Sequence, residues 1–460
     1  MMRLSEAANA VDARLVGGDV DFSGVSTDTR TLKRGNLFVA LRGERYDGHG
    51  FLRAAAGAGA AAAMVDTAFS LQAAERLPLI VVDDTRLGLG RLAAHWRSRF
   101  RMPLVALTGS SGKTTVKEML AAILRHASRD AGGAAEDPVL ATRGNLNNDI
   151  GLPLMLLELT PVHRYAVIEM GMNHAGEIRY LADLADPDVA LVTNAGRAHI
   201  EFLGSEEAIA RAKGEIFESL RPEATAVFNA DDRYAPLWRE LTKSRPCVDF
   251  GLEHAAAVTG SFRLRELDSD IVLRHSSGEA NVQLGAPGVH NVRNALAAAA
   301  AATALDIPLN VIAAGLGRFS GIKGRLQRKR GRKGAVLIDD TYNANPESVR
   351  AAISVLAQAP GRKILVFGDM GELGPDAPRL HAEVGAVAKE ARLDRMLALG
   401  ANSAEATKAF GADAKHFTRI EDLLEDLQDA LAPDVTVLVK GSRFMKMERV
   451  VNALEMTNGE

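Results

Sequence analysis

The chain carries a single cysteine, Cys247, among 460 residues. One thiol can form neither an internal bridge nor a paired-cysteine zinc site, so a disulfide scaffold is excluded and no oxidising compartment is needed. Net charge is almost absent. Lys and Arg number 55 and Asp and Glu 58, a formal charge of −3, which gives no overall electrostatic reason to expect a nucleic-acid partner. Long apolar runs are missing too. Ala54 to Val65 and Ala295 to Ala302 are the longest, both rich in Ala and Gly. They fall short of the roughly 20 residues that span a bilayer and read as buried, closely packed helices. Met1 to Ala10 contains Arg3 and Glu6 and no long apolar stretch, unlike a signal peptide. A cytosolic protein without membrane insertion is expected.

What is present is ordinary globular material, 47% hydrophobic and 25% charged. At roughly 150 residues per domain the length suggests about three domains. Short continuous apolar runs alternate with helical patterns. Candidate strands are Leu79 to Val82, Leu104 to Leu107, Ala166 to Ile168, Ala190 to Val192, Val336 to Ile338, Ile364 to Phe367 and Val435 to Val439. Continuous rather than alternating apolar strands are covered on both faces, so an α/β fold with parallel sheets is expected. Helices are expected over Thr115 to His126, Glu206 to Leu220, Val292 to Thr303, Glu347 to Leu356 and Leu380 to Ala391. The rhythm breaks at the basic segment ending in Pro103 and at the joint containing Gly321, Gly324 and Arg325. Expected domains are therefore 1–102, 103–321 and 322–460. Residues 245–288 alternate in polarity and read as a small antiparallel patch. The basic joint reads as a solvated linker or as a hinge facing phosphate.

Chemistry concentrates first at Thr108-Gly109-Ser110-Ser111-Gly112-Lys113-Thr114-Thr115, between a strand and a helix. Gly109 and Gly112 let the backbone curl so that its N–H groups face a phosphate chain, and the helix N-terminus adds its dipole. Lys113 supplies a cation for the β and γ phosphates, and Thr114 or Thr115 a hydroxyl for Mg²⁺. The spacing is shorter than in the common phosphate-loop motif. Downstream, Glu169 ends one apolar run and His199 follows another. Ligands collect at the carboxyl ends of parallel strands, and a carboxylate there needs a cation or donors. Lys213, taken alone, reads as an exposed helix lysine.

Further segments complete a pattern: Gly144 to Gly151, Glu169 to Ile178, Asn194 to Glu201, Gly288 to Ala295, Asp339 to Pro346, Val366 to Gly374 and Lys440-Gly441-Ser442-Arg443. In order and spacing, over nearly the whole chain, they resemble the Mur ligase family, the ATP-dependent amide ligases of peptidoglycan synthesis. Asp340 to Pro346 and Gly368 to Gly374 resemble the branch that adds D-alanyl-D-alanine. The Asp-Asn-Pro-Arg signature of a sister branch is absent.

The resemblance implies a small N-terminal domain for the UDP-sugar peptide, a central ATP-binding domain with a parallel sheet, and a C-terminal Rossmann-like domain for the incoming dipeptide. It implies that ATP phosphorylates the carboxylate of a UDP-N-acetylmuramoyl tripeptide and that D-alanyl-D-alanine attacks the acyl phosphate, releasing ADP and phosphate. By motif position, Gly109, Ser110, Ser111, Gly112, Lys113, Thr114 and Thr115 hold ATP phosphates. Thr114, Thr115, Glu169 and His199 serve Mg²⁺, and Lys213 bears a carbamate directed at the metal. Asn147 and Asn148 face the reacting groups. Asn291 and Asn294 contact adenine, with helix capping as the alternative. Arg325 and Asp340 reach ATP from the hinge and third domain. Lys440 and Ser442 meet the acyl phosphate, and Tyr342, Asn343 and Asn345 line the dipeptide pocket. Ser26, Arg30, Gly43 and His49 are candidates for the uridine-diphosphate pocket. A monomer is expected. The alternatives are a sister ligase adding a single amino acid, and, from another class, a nucleotide-binding switch or transport ATPase.

Overall fold

The structure is a computed structural model that describes residues 1–456 except 44–45, 70–76, 131–136, 199 and 266–267. Its first sheet has five strands in the order Arg14–Val16, Leu79–Val82, Ala62–Asp66, Asn36–Val39 and Gly24–Ser26, parallel except at the first pair. Here one expectation fails. Ala54 to Val65 is not one helix: helix Leu52–Gly57 ends and Ala62–Asp66 runs as a strand. Alanine disfavours strands intrinsically, but this segment is fully buried between two apolar neighbours, and packing overrides propensity.

The central sheet has six parallel strands in the order Cys247–Phe250, Thr225–Asn229, Val189–Val192, Leu104–Thr108, Tyr165–Glu169 and Val139–Ala141. Alternate residues of each strand feed two cores. Leu104, Ala106, Ala166 and Ile168 point toward helices Thr85–Arg97, Gly151–Leu156 and Glu177–Ala185. Val105, Leu107, Val167 and Leu191 point toward helices Lys113–Asp130 and Val289–Thr303. The Ala295 to Ala302 run does lie in a buried helix, as expected. Strands Leu104–Thr108, Tyr165–Glu169 and Val189–Val192 are neighbours, so the loops after them gather at one rim of the sheet. An antiparallel patch exists but spans Thr259–Leu264, Ser269–His275 and Gly278–Leu284. The start of the expected segment, Cys247–Phe250, belongs instead to the parallel sheet.

The third sheet has the order Gln327–Arg330, Val336–Asp340, Val435–Lys440, Arg362–Gly368, Arg395–Leu399 and Ala414–Phe417, parallel except for its first strand. That antiparallel edge is made by the basic joint, which is therefore structured rather than a solvated linker. Helix Pro346–Ala357 begins with a capping box between Asn345 and Ser348.

Helix Leu309–Leu316 packs on the phosphate-loop helix at Gly315, where an added Cβ would stand 2.5 Å from the Ile123 Cα. Backbone at that distance cannot yield as a side chain can. Gly315→Ala is expected to cost about 1–3 kcal/mol by overpacking. A lowered urea midpoint checks this, and an unchanged midpoint contradicts it.

Candidate active site

The Thr108–Gly112 turn is held by the neighbouring strand's loop. Ser110 N–H donates to the Asn194 carbonyl (3.1 Å) and Ser111 N–H to the Asn194 side-chain oxygen (2.9 Å). The Thr193 hydroxyl and the Asn194 amide both donate to the Ser111 carbonyl. The Ser110 hydroxyl exchanges hydrogen bonds with the Gly196 backbone. Gly109 and Gly112 have φ of 155° and 82°. A Cβ on the first would collide with the Thr193 side chain and on the second with Asn294. Glycine is required at both points for conformation and for space. The buried Thr108 hydroxyl, at the base of the turn, has no partner among the described residues.

Lys113, the first residue of helix Lys113–Asp130, donates from Nζ to the Gly109 carbonyl at 2.6 Å, folded back over the loop. Burial lowers its pKa from the ordinary lysine value and nearby Arg325 lowers it further, against Glu169 and Glu372, which raise it. Thr114 donates its hydroxyl proton to Glu169 Oε2 at 2.8 Å. Asn147 Nδ2 donates to the other carboxylate oxygen at 2.9 Å. The Glu169 N–H is taken by the Thr142 hydroxyl, whose carbonyl accepts from Lys117. Arg325 crosses from the hinge to donate to the Thr114 hydroxyl at 2.9 Å, with its guanidinium stacked 4.3 Å from the Tyr342 ring.

Lys213 is not an exposed helix lysine. It lies at 1% exposure in helix Glu206–Glu218. Burial drives its pKa well below the usual lysine value, and the like charge of Lys113 drives it the same way. Its Nζ makes no hydrogen bond or ion pair among the described residues. His199 lies outside the described residues. Among the described residues no three His, Cys, Asp or Glu side chains converge as a ready metal cluster.

Thr115 is buried beside Thr114. Asn148 is occupied locally, accepting from the Ile150 and Gly151 amides. Asn291 and Asn294 are not helix caps: Gly288 occupies the cap position, and both side chains are buried inside the helix. Asn291 donates to the Pro287 carbonyl, and Asn294 donates to Asn291 while backing onto Gly112.

The third domain brings a second charged group to the rim. Lys440 Nζ donates to Asp340 at 2.6 Å and to the Asn343 carbonyl at 2.9 Å. Burial raises the Asp340 pKa, opposed by Lys440. The Ser442 hydroxyl accepts from Gly371 N–H and donates to the Ala344 carbonyl. Asn343 accepts from Arg443 N–H at 3.4 Å. Asn345 caps its helix and also donates to the Ser111 hydroxyl at 3.2 Å, so the third domain touches the phosphate loop directly.

The first domain's candidates are not part of this cluster. The Ser26 hydroxyl closes a turn with Asp28, and exposed Arg30 pairs with Asp28 at 2.6 Å. Gly43 N–H donates to the Tyr46 carbonyl. His49 is buried. Its Nε2 accepts from Asp66 N–H, which places the ring proton on Nδ1, donated to Asp47 at 2.6 Å. Both nitrogens are used within the domain.

Thr193 and Asn194 hold the loop and Arg197 leaves it for the third domain, roles that the sequence pattern does not assign to them. The strand-end rule that drew attention to His199 points to the same segment.

Family models match most of the chain. "Mur ligase family, catalytic domain" matches residues 21–97, "Mur ligase middle domain" residues 107–302, and "Mur ligase, glutamate ligase domain" residues 324–443. The UDP-N-acetylmuramoyl-tripeptide–D-alanyl-D-alanine ligase of Escherichia coli is 42% identical, with 98% of each chain covered. A crystal structure of MurF from Acinetobacter baumannii superposes with a TM-score of 0.89 at 36% identity, covering 97% of each chain. MurF ligase from Thermotoga maritima in complex with ADP gives a TM-score of 0.82 at 28% identity, covering 94% of this chain and 96% of that one. With the three matched domains in order and relatives of this identity aligned end to end, the chain belongs to the Mur ligase family.

Proposed function

We propose that the protein uses ATP to join D-alanyl-D-alanine to a UDP-N-acetylmuramoyl tripeptide, through an acyl phosphate, in peptidoglycan precursor synthesis. The observation that carries this reading is the loop Gly109–Thr115, with Lys113 folded over it and Glu169 bonded to Thr114 at its rim. End-to-end similarity to D-alanyl-D-alanine ligases supports the substrates, and the ADP-bound neighbour supports the nucleotide. Residues 1–102 serve the UDP-sugar peptide through Ser26, Arg30, Gly43 and His49, residues 103–321 serve ATP, and residues 322–460 serve the dipeptide.

The chemical problem is charge. A carboxylate is a poor electrophile, and it must meet the γ-phosphate although both are anionic. Lys113, the Gly112–Thr115 amides and the helix dipole offset that repulsion, so catalysis is mainly positioning and electrostatics. The glycine cradle and the unpartnered Thr108 hydroxyl fit a phosphate chain. The Thr114 hydroxyl and Glu169 carboxylate, 2.8 Å apart, are hard oxygen donors that fit Mg²⁺, with Thr115 next to Thr114 in the chain, His199 a further ligand by motif position and Asn147 orienting the carboxylate. Bound magnesium supplies further neutralisation of phosphate charge. Asn291 and Asn294 lie behind the loop to receive adenine. Arg325 and Asp340 approach from the third domain. Lys440, steadied by Asp340, faces the acyl phosphate with Asn148 and Ser442, while Tyr342, Asn343 and Asn345 frame the dipeptide. The amine attacks the acyl carbon, the carbon–nitrogen bond forms and phosphate leaves.

Lys213 enters by a different chemistry. Burial beside Lys113 favours its neutral amine, the form that adds to carbon dioxide. A nitrogen–carbon bond forms and one proton is released. The resulting carbamate replaces a repelled cation with an anion suited to the metal side of the site.

Purified protein given Mg²⁺, ATP, UDP-muramoyl tripeptide and D-alanyl-D-alanine should release one ADP and one phosphate per amide formed. Turnover with a free amino acid but not the dipeptide would instead identify a sister ligase, and hydrolysis without an acceptor would identify a switch-type ATPase. Lys113→Ala should fold normally yet lower kcat by roughly 100-fold or more, as for loss of a group aimed at developing charge. Near-normal turnover contradicts the loop assignment. Lys213→Ala should lose activity and regain part of it with short carboxylic acids, and ¹³C-labelled carbon dioxide should give the native enzyme a carbamate resonance that the variant lacks. No rescue and no resonance would remove the carbamate.

A further inference from the structure

Arg197 stands in the segment that braces the phosphate loop, yet its guanidinium leaves the central domain. Nε donates to Glu347 at 2.8 Å and Nη1 to Glu383 at 3.2 Å. The two carboxylates come from different helices of the third domain, Pro346–Ala357 and Ala377–Glu390. The Arg197 side chain is 16% exposed, whereas Arg350 and Arg379, which also pair with Glu383, are 42% and 57% exposed. Most surface ion pairs contribute little because water screens them. Here the guanidinium is mostly withdrawn from water while Glu347 and Glu383 are 36% and 31% exposed; the pair crosses domains and uses the guanidinium as a fork that lysine cannot reproduce.

The connections on either side of Arg197 form a ring. Gly196 exchanges hydrogen bonds with Ser110. Glu347 lies two residues after Asn345, which bonds the Ser111 hydroxyl. The path Ser110, Gly196, Arg197, Glu347, Asn345, Ser111 therefore returns to the loop from which it started. A shift of the third domain away from the central one breaks this ring at the Arg197 and Asn345 contacts together, and both lie against the residues that grip phosphate.

We propose that Arg197 is a positioning residue that couples occupation of the phosphate loop to closure of the third domain, holding Lys440 and the acceptor pocket over the acyl phosphate. The kinetic part rests on the activity proposed above; the closure part does not. Arg197→Ala should lower kcat roughly tenfold while leaving KM for the UDP-muramoyl tripeptide within about twofold, the pattern of a lost interaction that matters after substrate binding. Arg197→Lys, able to keep one of the two ion pairs, should recover part of the rate. Arg197→Glu should be worse than alanine, and adding Glu347→Arg should restore much of that loss, as expected for directly interacting sites. Small-angle scattering with Mg²⁺ and a non-hydrolysable ATP analogue requires no turnover. It should show a compact native protein and an expanded Arg197→Ala. Identical scattering curves, native kcat in Arg197→Ala, or a parallel fall in kcat and rise in KM with a lowered melting temperature would overturn the coupling. If the native enzyme forms no amide, the activity falls and the scattering comparison alone decides the coupling.

Discussion

Half-buried Lys113 and fully buried Lys213 lie near enough at the rim of the central sheet for the charge of one to act on the other, and the rest of the site answers to that fact. Burial lowers the proton affinity of both, and the like charge of Lys113 lowers that of Lys213 further. Arg325 adds a third cation, bonded to Thr114. Glu169 is the carboxylate at the centre of this group, already bonded by Thr114 and Asn147. A protein interior tolerates such an excess only where anions complete it or where a lysine gives up its proton. Triphosphate on one side and a neutral Lys213 on the other satisfy both requirements. The excess also explains how an anionic carboxylate and an anionic nucleotide can meet.

The third domain contributes to the same balance. Asp340 pairs with Lys440 within its own domain, so the third domain adds no unpaired Lys440 cation to a crowded site. Asn345 serves twice, as helix cap and as contact to Ser111. One residue that stabilises a helix locally thus also registers the domain against the nucleotide loop. Local folding and site assembly are linked there, because the capping geometry fixes where the side-chain amide points.

Much of the fold was legible because parallel α/β strands are continuous apolar runs. Leu104 to Leu107, Ala166 to Ile168, Ala190 to Val192 and Val435 to Val439 all lie in strands. Ala62–Asp66 was not, because alanine carries no strand preference and only its neighbours decide. The Gly109–Gly112 turn was legible as a tight strand-to-helix loop because its glycines take the positive φ that the curl requires. Lys213 was misread from physics alone, since a lysine in an amphipathic helix is usually exposed and nothing local announces its burial. The structure corrects that, with Lys213 at 1% exposure. Asn291 was ambiguous because an asparagine near a helix start is a common cap; Gly288 stands at that position instead. The first domain's candidates remain the least resolved by pattern, because Ser26 and His49 have complete local hydrogen-bonding roles.

The concentration of positive charge has one purpose in this account: to let the substrate carboxylate accept the γ-phosphoryl group of ATP. Oxygen tracing tests that transfer most directly. With the terminal carboxylate of the tripeptide labelled with ¹⁸O, the inorganic phosphate released should carry one labelled oxygen, left behind when the amine displaces it from the acyl carbon. Phosphate free of label, at full amide yield, would contradict activation of the carboxylate at this site.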